Sequence, residues 1–441
     1  MLNIRALFRA AHPSGARTLY VSPTGSDGNG GTSASSPKRT IQSAVDAARA
    51  GDRISVASGT YGYVSIYGRQ GTPTAWITIE GAVGARPVID VSTPIASSGG
   101  SRWTDGIDVQ QSAYVAVVGF EVRGSQTSPD TNPSGIAVFR GSRRISVWDC
   151  VVHDFPGGGI NCFWQAQSTY EGQVLPGGGW DGVDVFFNTV HGTSRYSPNN
   201  TSGISFYGGE DLGVGTIDGR YGYRAVGNYV YDVVCTVPYT PGGLGFVTDG
   251  NGISPDSLAV ANSLNPSVRP YRKRGLIEGN VIVACGGRGV HVFNSKDIDV
   301  VNNTLVGNLR TKSPAITGST EVDLQLDTRD PQNGVVIANN LIAPTNTARA
   351  FDRTAQSVRG NTVVGGTDVV PAGNQSLRPV GVRMFSGGMS ATALAAGPAL
   401  SALKPSVQTL VARVPGQTGY QALGLGQQTG NSVAVGALPR R

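Results

Sequence analysis

Short runs of alternating apolar and polar residues fill most of this chain, and one run keeps returning. "VWDCVVHD" at 147, "VFFNTVHG" at 185, "AVGNYVYD" at 225, "LIEGNVIVA" at 276, "VVNNTLVG" at 300, "IANNLIAP" at 337 and "VRGNTVVG" at 358 each set a polar residue, usually Asn, between Val and Ile pairs. Asn280 and Asn303 stand 23 residues apart, and Asn340 and Asn361 stand 21 apart. A period of this size predicts a solenoid in which each repeat is one turn. Asn188, Asn228, Asn280, Asn303, Asn340 and Asn361 are expected at an inward bend, bonded up and down the stack.

A second series is interleaved with the first: "DGIDVQQ" at 105, "SGIAVFR" at 134, "GGINCFW" at 158, "SGISFYG" at 202, "NGISPDS" at 251 and "RGVHVFN" at 288. Period-two alternation puts Ile107, Ile136, Ile160, Ile204, Ile253 and Val290 inside. The outward row is then Asp108, Ala137, Asn161, Ser205, Ser254 and His291. Two residues further on lies a second row: Gln110, Phe139, Phe163, Tyr207, Asp256 and Phe293. Near the N-terminus Ile41, Ala44, Val45 and Ala48 share a helical face between Ser36-Pro37 and Gly51, predicting a helix over 39–50 that caps the solenoid.

Composition points the same way. Gly is 63 of 441 residues, charged residues are 15% and aromatics 7%, which favours short strands and tight turns in an all-β chain. The formal charge of +6 is spread along the chain, which suits an acidic polysaccharide; no nucleic-acid partner is expected. No run reaches the roughly 20 apolar residues of a membrane span. Cys150, Cys162, Cys235 and Cys285 lack zinc or CxxC spacing and are expected to be buried thiols. The expected organisation is a leader or disordered segment over 1–17, the solenoid over 18–380 and a tail packed on it over 381–441. No intact signal peptide is evident in the opening residues.

The stretch "TLYVSPTGSDGNGGTSASSPKRTIQSAVDAARAGDRISVASGTY" (18–61) and the closing "VAVGALPRR" resemble the right-handed parallel β-helix proteins of the pectate-lyase-like superfamily. "DGNGI" followed by "GRGVHVF" is similar to bacterial members of polysaccharide lyase family 9. The resemblance implies a right-handed parallel β-helix with an N-terminal capping helix. It also implies a polysaccharide lyase, calcium bound by acidic residues, a Lys base, and an extracellular or periplasmic location.

Chemistry is expected on an outer face or in the insertions, because the core of a solenoid consumes its own side chains. Phe139, Phe163, Tyr207 and Phe293 beside the polar Asn161 are expected to line a sugar groove, rings for sugar faces and amides for hydroxyls, although the same row fits surface-packed aromatics covered by loops. Asp249, Asn251 and Asp256 are hard oxygen donors suited to Ca²⁺, although their Gly-rich setting equally fits a capped turn. Arg288 and His291 share a strand beside that segment, and "RPYRKR" (269–274) adds Arg269, Arg272, Lys273 and Arg274. β-Elimination from a uronate needs positive charge on the substrate carboxylate and a base at C5. Arg288 or Ca²⁺ is expected to supply the first, His291 or Lys273 the second, with Arg274 binding substrate. Two alternatives stay open: a β-helix glycoside hydrolase using carboxylates such as Asp249 and Asp256, and a polysaccharide-binding or adhesion solenoid without catalysis.

Overall fold

In the computed structural model, the structure describes residues 17–377 apart from 98–99, 103, 127–131, 171–172, 242, 260–269, 326–332, 345–348, 353 and 365–374. The expected leader, the tail and Arg269 lie outside the described residues. Three long sheets of 11, 11 and 9 strands run the length of the solenoid. Their strands pair in parallel, rung upon rung, in a right-handed parallel β-helix.

One rung shows the build. Ile136–Phe139 lies in the third sheet, Ser142–Trp148 in the first and Val151–His153 in the second. A residue with left-handed backbone turns the corner from third sheet to first: Gln111, Arg140 and Asn294 do so at φ 50°, 54° and 44°. Between first and second sheets comes the Asn turn, and a loop of variable length closes the rung. Such loops admit insertions without disturbing the stack.

The inward columns are as expected: Ile136, Ile160, Ile204, Ile253 and Val290 are fully buried and in register. At the turn, Asn188, Asn228, Asn280, Asn303, Asn340 and Asn361 are likewise wholly buried. Asn280 is typical. Its Oδ1 accepts from the Asn228 N–H and Nδ2 at 2.9 Å each, and its Nδ2 donates to Ala225 O and Asn303 Oδ1 at 2.9 Å each. A polar residue inside an apolar stack is tolerated because every donor and acceptor it brings is met.

The N-terminal cap is shorter than expected, Ile41–Ala47 rather than 39–50. Thr40 caps it, accepting from Ser43 N, and Ile41, Ala44 and Val45 are buried as anticipated. It stops before Gly51 because Asp52 takes the Arg49 N–H at 2.6 Å and pairs with Arg17, drawing the chain out of the helix. All four cysteines are buried free thiols. Among the described residues no helix is long and apolar enough to cross a membrane.

Candidate active site on the third sheet

The register of the third sheet aligns Ser205 with Ser254, and His291 with Asp323. In the neighbouring row Tyr207, Asp256, Phe293 and Gln325 stand side by side. The two outward rows read from the sequence are therefore real. They are not open along their length, however. Ala137, Phe139, Asn161, Ser254 and His291 are buried. Phe139 and Phe163 stack on each other, 4.6 Å between centroids and 14° between planes, so one face of each ring is already taken. The buried Arg140 donates to Ala166, Leu175 and Pro176 carbonyls and fixes the hairpin of Ser168–Tyr170 and Gln173–Leu175 beside them.

Arg288 differs most from expectation. It is not a cation facing substrate but a buried strut. Its Nη1 donates to Thr248 O at 2.7 Å and its Nη2 to Ala315 O at 2.5 Å, tying two loops together above His291. Ser313 Oγ, donating to Val247 O at 2.6 Å, makes a second tie.

His291 sits between two carboxylates. Nδ1 is 3.8 Å from Asp249 Oδ1, Nε2 is 3.9 Å from Asp323 Oδ2, and Asn251 Nδ2 lies 3.4 Å from Nδ1. Burial first, then the charge of Arg288, lowers its pKa against the opposing pull of Asp249 and Asp323, so the imidazole is neutral at pH 7. Asp249, just before the neighbouring strand, and Asp256, at its end, are driven apart. Burial, opposed by the Ser257 hydroxyl and reinforced by the charge of Asp249, pushes the Asp256 carboxyl up to about 7. Burial also works against ionised Asp249, but His291, Thr248 and Arg288 outweigh it and hold that carboxyl below its usual range. One acid holds a proton near neutrality while the other has lost it, which is how paired carboxylates divide acid and base roles.

The calcium expectation does not fit this donor set. Asn251 Oδ1 accepts the Arg288 N–H at 2.9 Å, and Asn251 Nδ2 donates to Asp249 Oδ1 at 2.6 Å. Thr248 Oγ1 donates to the other Asp249 oxygen at 2.7 Å. Asn251 closes a turn, the other reading of the "DGNG" segment, and no cluster of three or more His, Cys, Asp or Glu suited to a metal exists among the described residues. No step below passes through a metal.

Lys273 and Arg274 belong elsewhere. Lys273 Nζ bonds both oxygens of the buried Asp181, at 2.8 and 2.7 Å, and reaches Asp211 at 2.9 Å, with Tyr271 completing the group. Arg274 pairs with Asp299 and donates to Gly334 O. Both sets lie along the first sheet, where they pin the long insertions to the solenoid.

Two site residues escaped the sequence reading. Asp323 follows Val322 as His291 follows Val290, a seventh member of the second series, but Glu321 replaces the glycine that marks the others. Tyr239 lies in an insertion with no repeat to place it; burial first, then the charges of Asp249 and Asp256, raises its hydroxyl pKa.

The chain is similar to the crystal structure of pectate lyase Pel9A at 16% identity and TM-score 0.46, covering 83% of this chain and 80% of that one. It is similar to a rhamnogalacturonan lyase at 15% identity and TM-score 0.46, over 78% of this chain and 87% of that one. A complex of XylC with xylose matches at 14% identity and TM-score 0.48, over 82% and 70%. No curated protein matches the chain. The family model described as the Pel9A-like right-handed β-helix region matches residues 19–184.

Proposed function

We propose that the outer face of the third sheet, between Asp256 and Asp323, is the active site of a carbohydrate-active enzyme that cleaves glycosidic bonds by hydrolysis. The observation that carries this reading is the placement of two carboxylates, Asp249 and Asp323, about the buried His291, with Asp256 in the neighbouring row and close enough to Asp249 to feel its charge, while Arg288, Lys273 and Arg274 are committed to protein groups. Glycoside hydrolysis passes through an oxocarbenium-like transition state, whose positive charge an acidic cluster stabilises. Asp256, protonated near neutrality, donates to the leaving oxygen, and Asp323 stands beside the sugar on the same face. Phe293 and Tyr207 flank Asp256 and supply ring surface for sugar faces.

The Pel9A-like stretch favours a second reading, β-elimination from an acidic polysaccharide. That stretch ends at residue 184, before any of these residues. Elimination builds negative charge beside a uronate carboxylate and calls for positive charge there, and among the described residues Arg288, Lys273 and Arg274 are held by protein groups. Either substrate is a polymer met outside the cytoplasm, so an extracellular or periplasmic location fits both.

A panel of neutral and uronate polysaccharides separates the readings. Hydrolysis gives new reducing ends without new ultraviolet absorbance, and Asp256→Asn is expected to lower the rate about 10²- to 10⁴-fold. Wild-type activity should fall as pH rises past the Asp256 value of about 7. Ultraviolet-absorbing unsaturated products would replace hydrolysis with elimination, and glycan binding without either product would make the solenoid a binder.

A further inference from the structure

Asp323 was assigned no role by the sequence, and its surroundings set it apart from Asp249. Both oxygens of Asp249 are occupied, Oδ1 by Asn251 Nδ2 and Oδ2 by Thr248 Oγ1. Asp323 is hydrogen-bonded at one oxygen and ion-paired at the other. Its Oδ1 accepts from Thr320 N at 3.1 Å and Thr320 Oγ1 at 3.2 Å, which fixes the orientation of the carboxylate. Two buried nitrogens without a hydrogen-bond partner converge on the other oxygen. Arg288 Nε is 3.4 Å and His291 Nε2 3.9 Å from Asp323 Oδ2, on side chains only 3% and 5% exposed. Leaving such atoms unpaired costs free energy, and a small hydrogen-bonding group beside Oδ2 would satisfy them. Asp323 itself, 13% exposed, reaches the outer face.

Resting on the hydrolase reading above, we infer that Asp323 is a further catalytic residue, the general base that takes a proton from the attacking water in a single-displacement, inverting hydrolysis. The register supplies the geometry. Asp256 aligns with Phe293, and Asp323 with His291 on the strand after that, so the two acids are two strands and two residues apart on one face. At about 4.8 Å per strand and 3.3 Å per residue their Cα atoms lie roughly 12 Å apart. Two aspartates facing one way from that separation cannot close to the roughly 5 Å of a double displacement, and leaning towards each other they reach the wider carboxyl spacing, about 6.5–9.5 Å, that leaves room for a water. Water adds to the anomeric carbon as the glycosidic C–O bond breaks. Its proton passes to Asp323 Oδ2, while Asp256 protonates the departing oxygen.

The test uses the full-length protein on whichever glycan the panel shows to be cleaved. Proton NMR at early times should show the product with inverted anomeric configuration. Asp323→Asn keeps the shape and the Thr320 contact; it should lower kcat about 10²- to 10⁴-fold with little change in KM. Asp323→Ala should regain turnover in azide, which a merely structural role would not permit. Retained configuration overturns the inference, as does wild-type kcat in folded Asp323→Asn while Asp256→Asn is impaired; the hydrolase reading survives both. If no glycan is hydrolysed by the wild type, the reading itself fails and this role with it. The stereochemical arm needs no variant, so a failure of Asp323→Asn to fold leaves the inference decidable.

Discussion

The second and third sheets carry histidines on their outer faces in the same register-bound way, yet the two rows behave differently. On the second sheet His153 and His191 stack at 4.9 Å and His191 stacks on Tyr231 at 4.6 Å, ring on ring along the helix axis. His153 Nδ1 is 2.8 Å from Asp154 and its Nε2 3.4 Å from Glu121. On the third sheet His291 meets Phe293 at a tilt, 5.6 Å between centroids and 54° between planes, and its Nε2 has no hydrogen-bond partner among the described residues. A solenoid satisfies the polar groups that it repeats, because the next rung brings a matching one. Polar groups that interrupt the repeat are left facing loops, substrate or water, and chemistry gathers there.

The strongest break of this comparison is inside the repeat. Asn280→Ala removes an acceptor shared by two donors of Asn228 and a donor to Ala225 O and Asn303 Oδ1, all in a fully buried turn. The expected loss is roughly 2–5 kcal/mol, read by urea denaturation with the cluster chemistry unchanged in whatever protein remains folded. A loss below about 0.5 kcal/mol would mean that the ladder is decoration.

That ladder was legible in the sequence because a repeat states itself several times over. Spacing, Val and Ile flanks and the Asn column agreed, and each registers a physical need of the stack. The site was legible only in part. His291 and Asp249 could be named because they lie on the repeat or beside it. The roofing of Arg288 by Thr248 and Ala315 could not, because both carbonyls come from loops whose course no period dictates. For the same reason Lys273 and Arg274 looked available in the sequence although Asp181 and Asp299 hold them.

A smaller effect sharpens the contrast through pH. Glu321, which displaces the series glycine, is wholly buried and accepts from Asn308 N and Nδ2 at 3.1 and 2.8 Å. Burial, partly offset by Asn308, pushes its carboxyl from 4.5 up to about 7. The folded form therefore binds the proton more tightly than the unfolded chain. This contribution is fully present below about 4.5 and is lost as pH rises towards 7, a change of about 3 kcal/mol. Glu321→Gln should flatten that part of the stability profile. Asp256, raised in the same sense, contributes the remainder, so the double variant with Asp256→Asn should flatten it further. An unchanged slope in both variants would place the titrating group elsewhere.

The smallest expected effect tests whether the outer face of the second sheet is as quiet as its satisfied contacts imply. Arg123 precedes His153 in the same row and pairs with Asp90 at 2.6 Å, with 45% of its side chain exposed. Arg123 holds the Asp90 carboxyl near 2, and the pair is open to solvent and salt on the arginine side. Exposed pairs of this kind contribute about 0–1 kcal/mol, since solvent screens the attraction and ordering two side chains costs entropy. Arg123→Ala should therefore change stability by less than about 1 kcal/mol and leave turnover untouched, because no group of the Asp249–Asp323 cluster contacts this row. A clear fall in activity in the folded variant would extend the site around the solenoid to the second sheet and end the distinction between its two histidine rows.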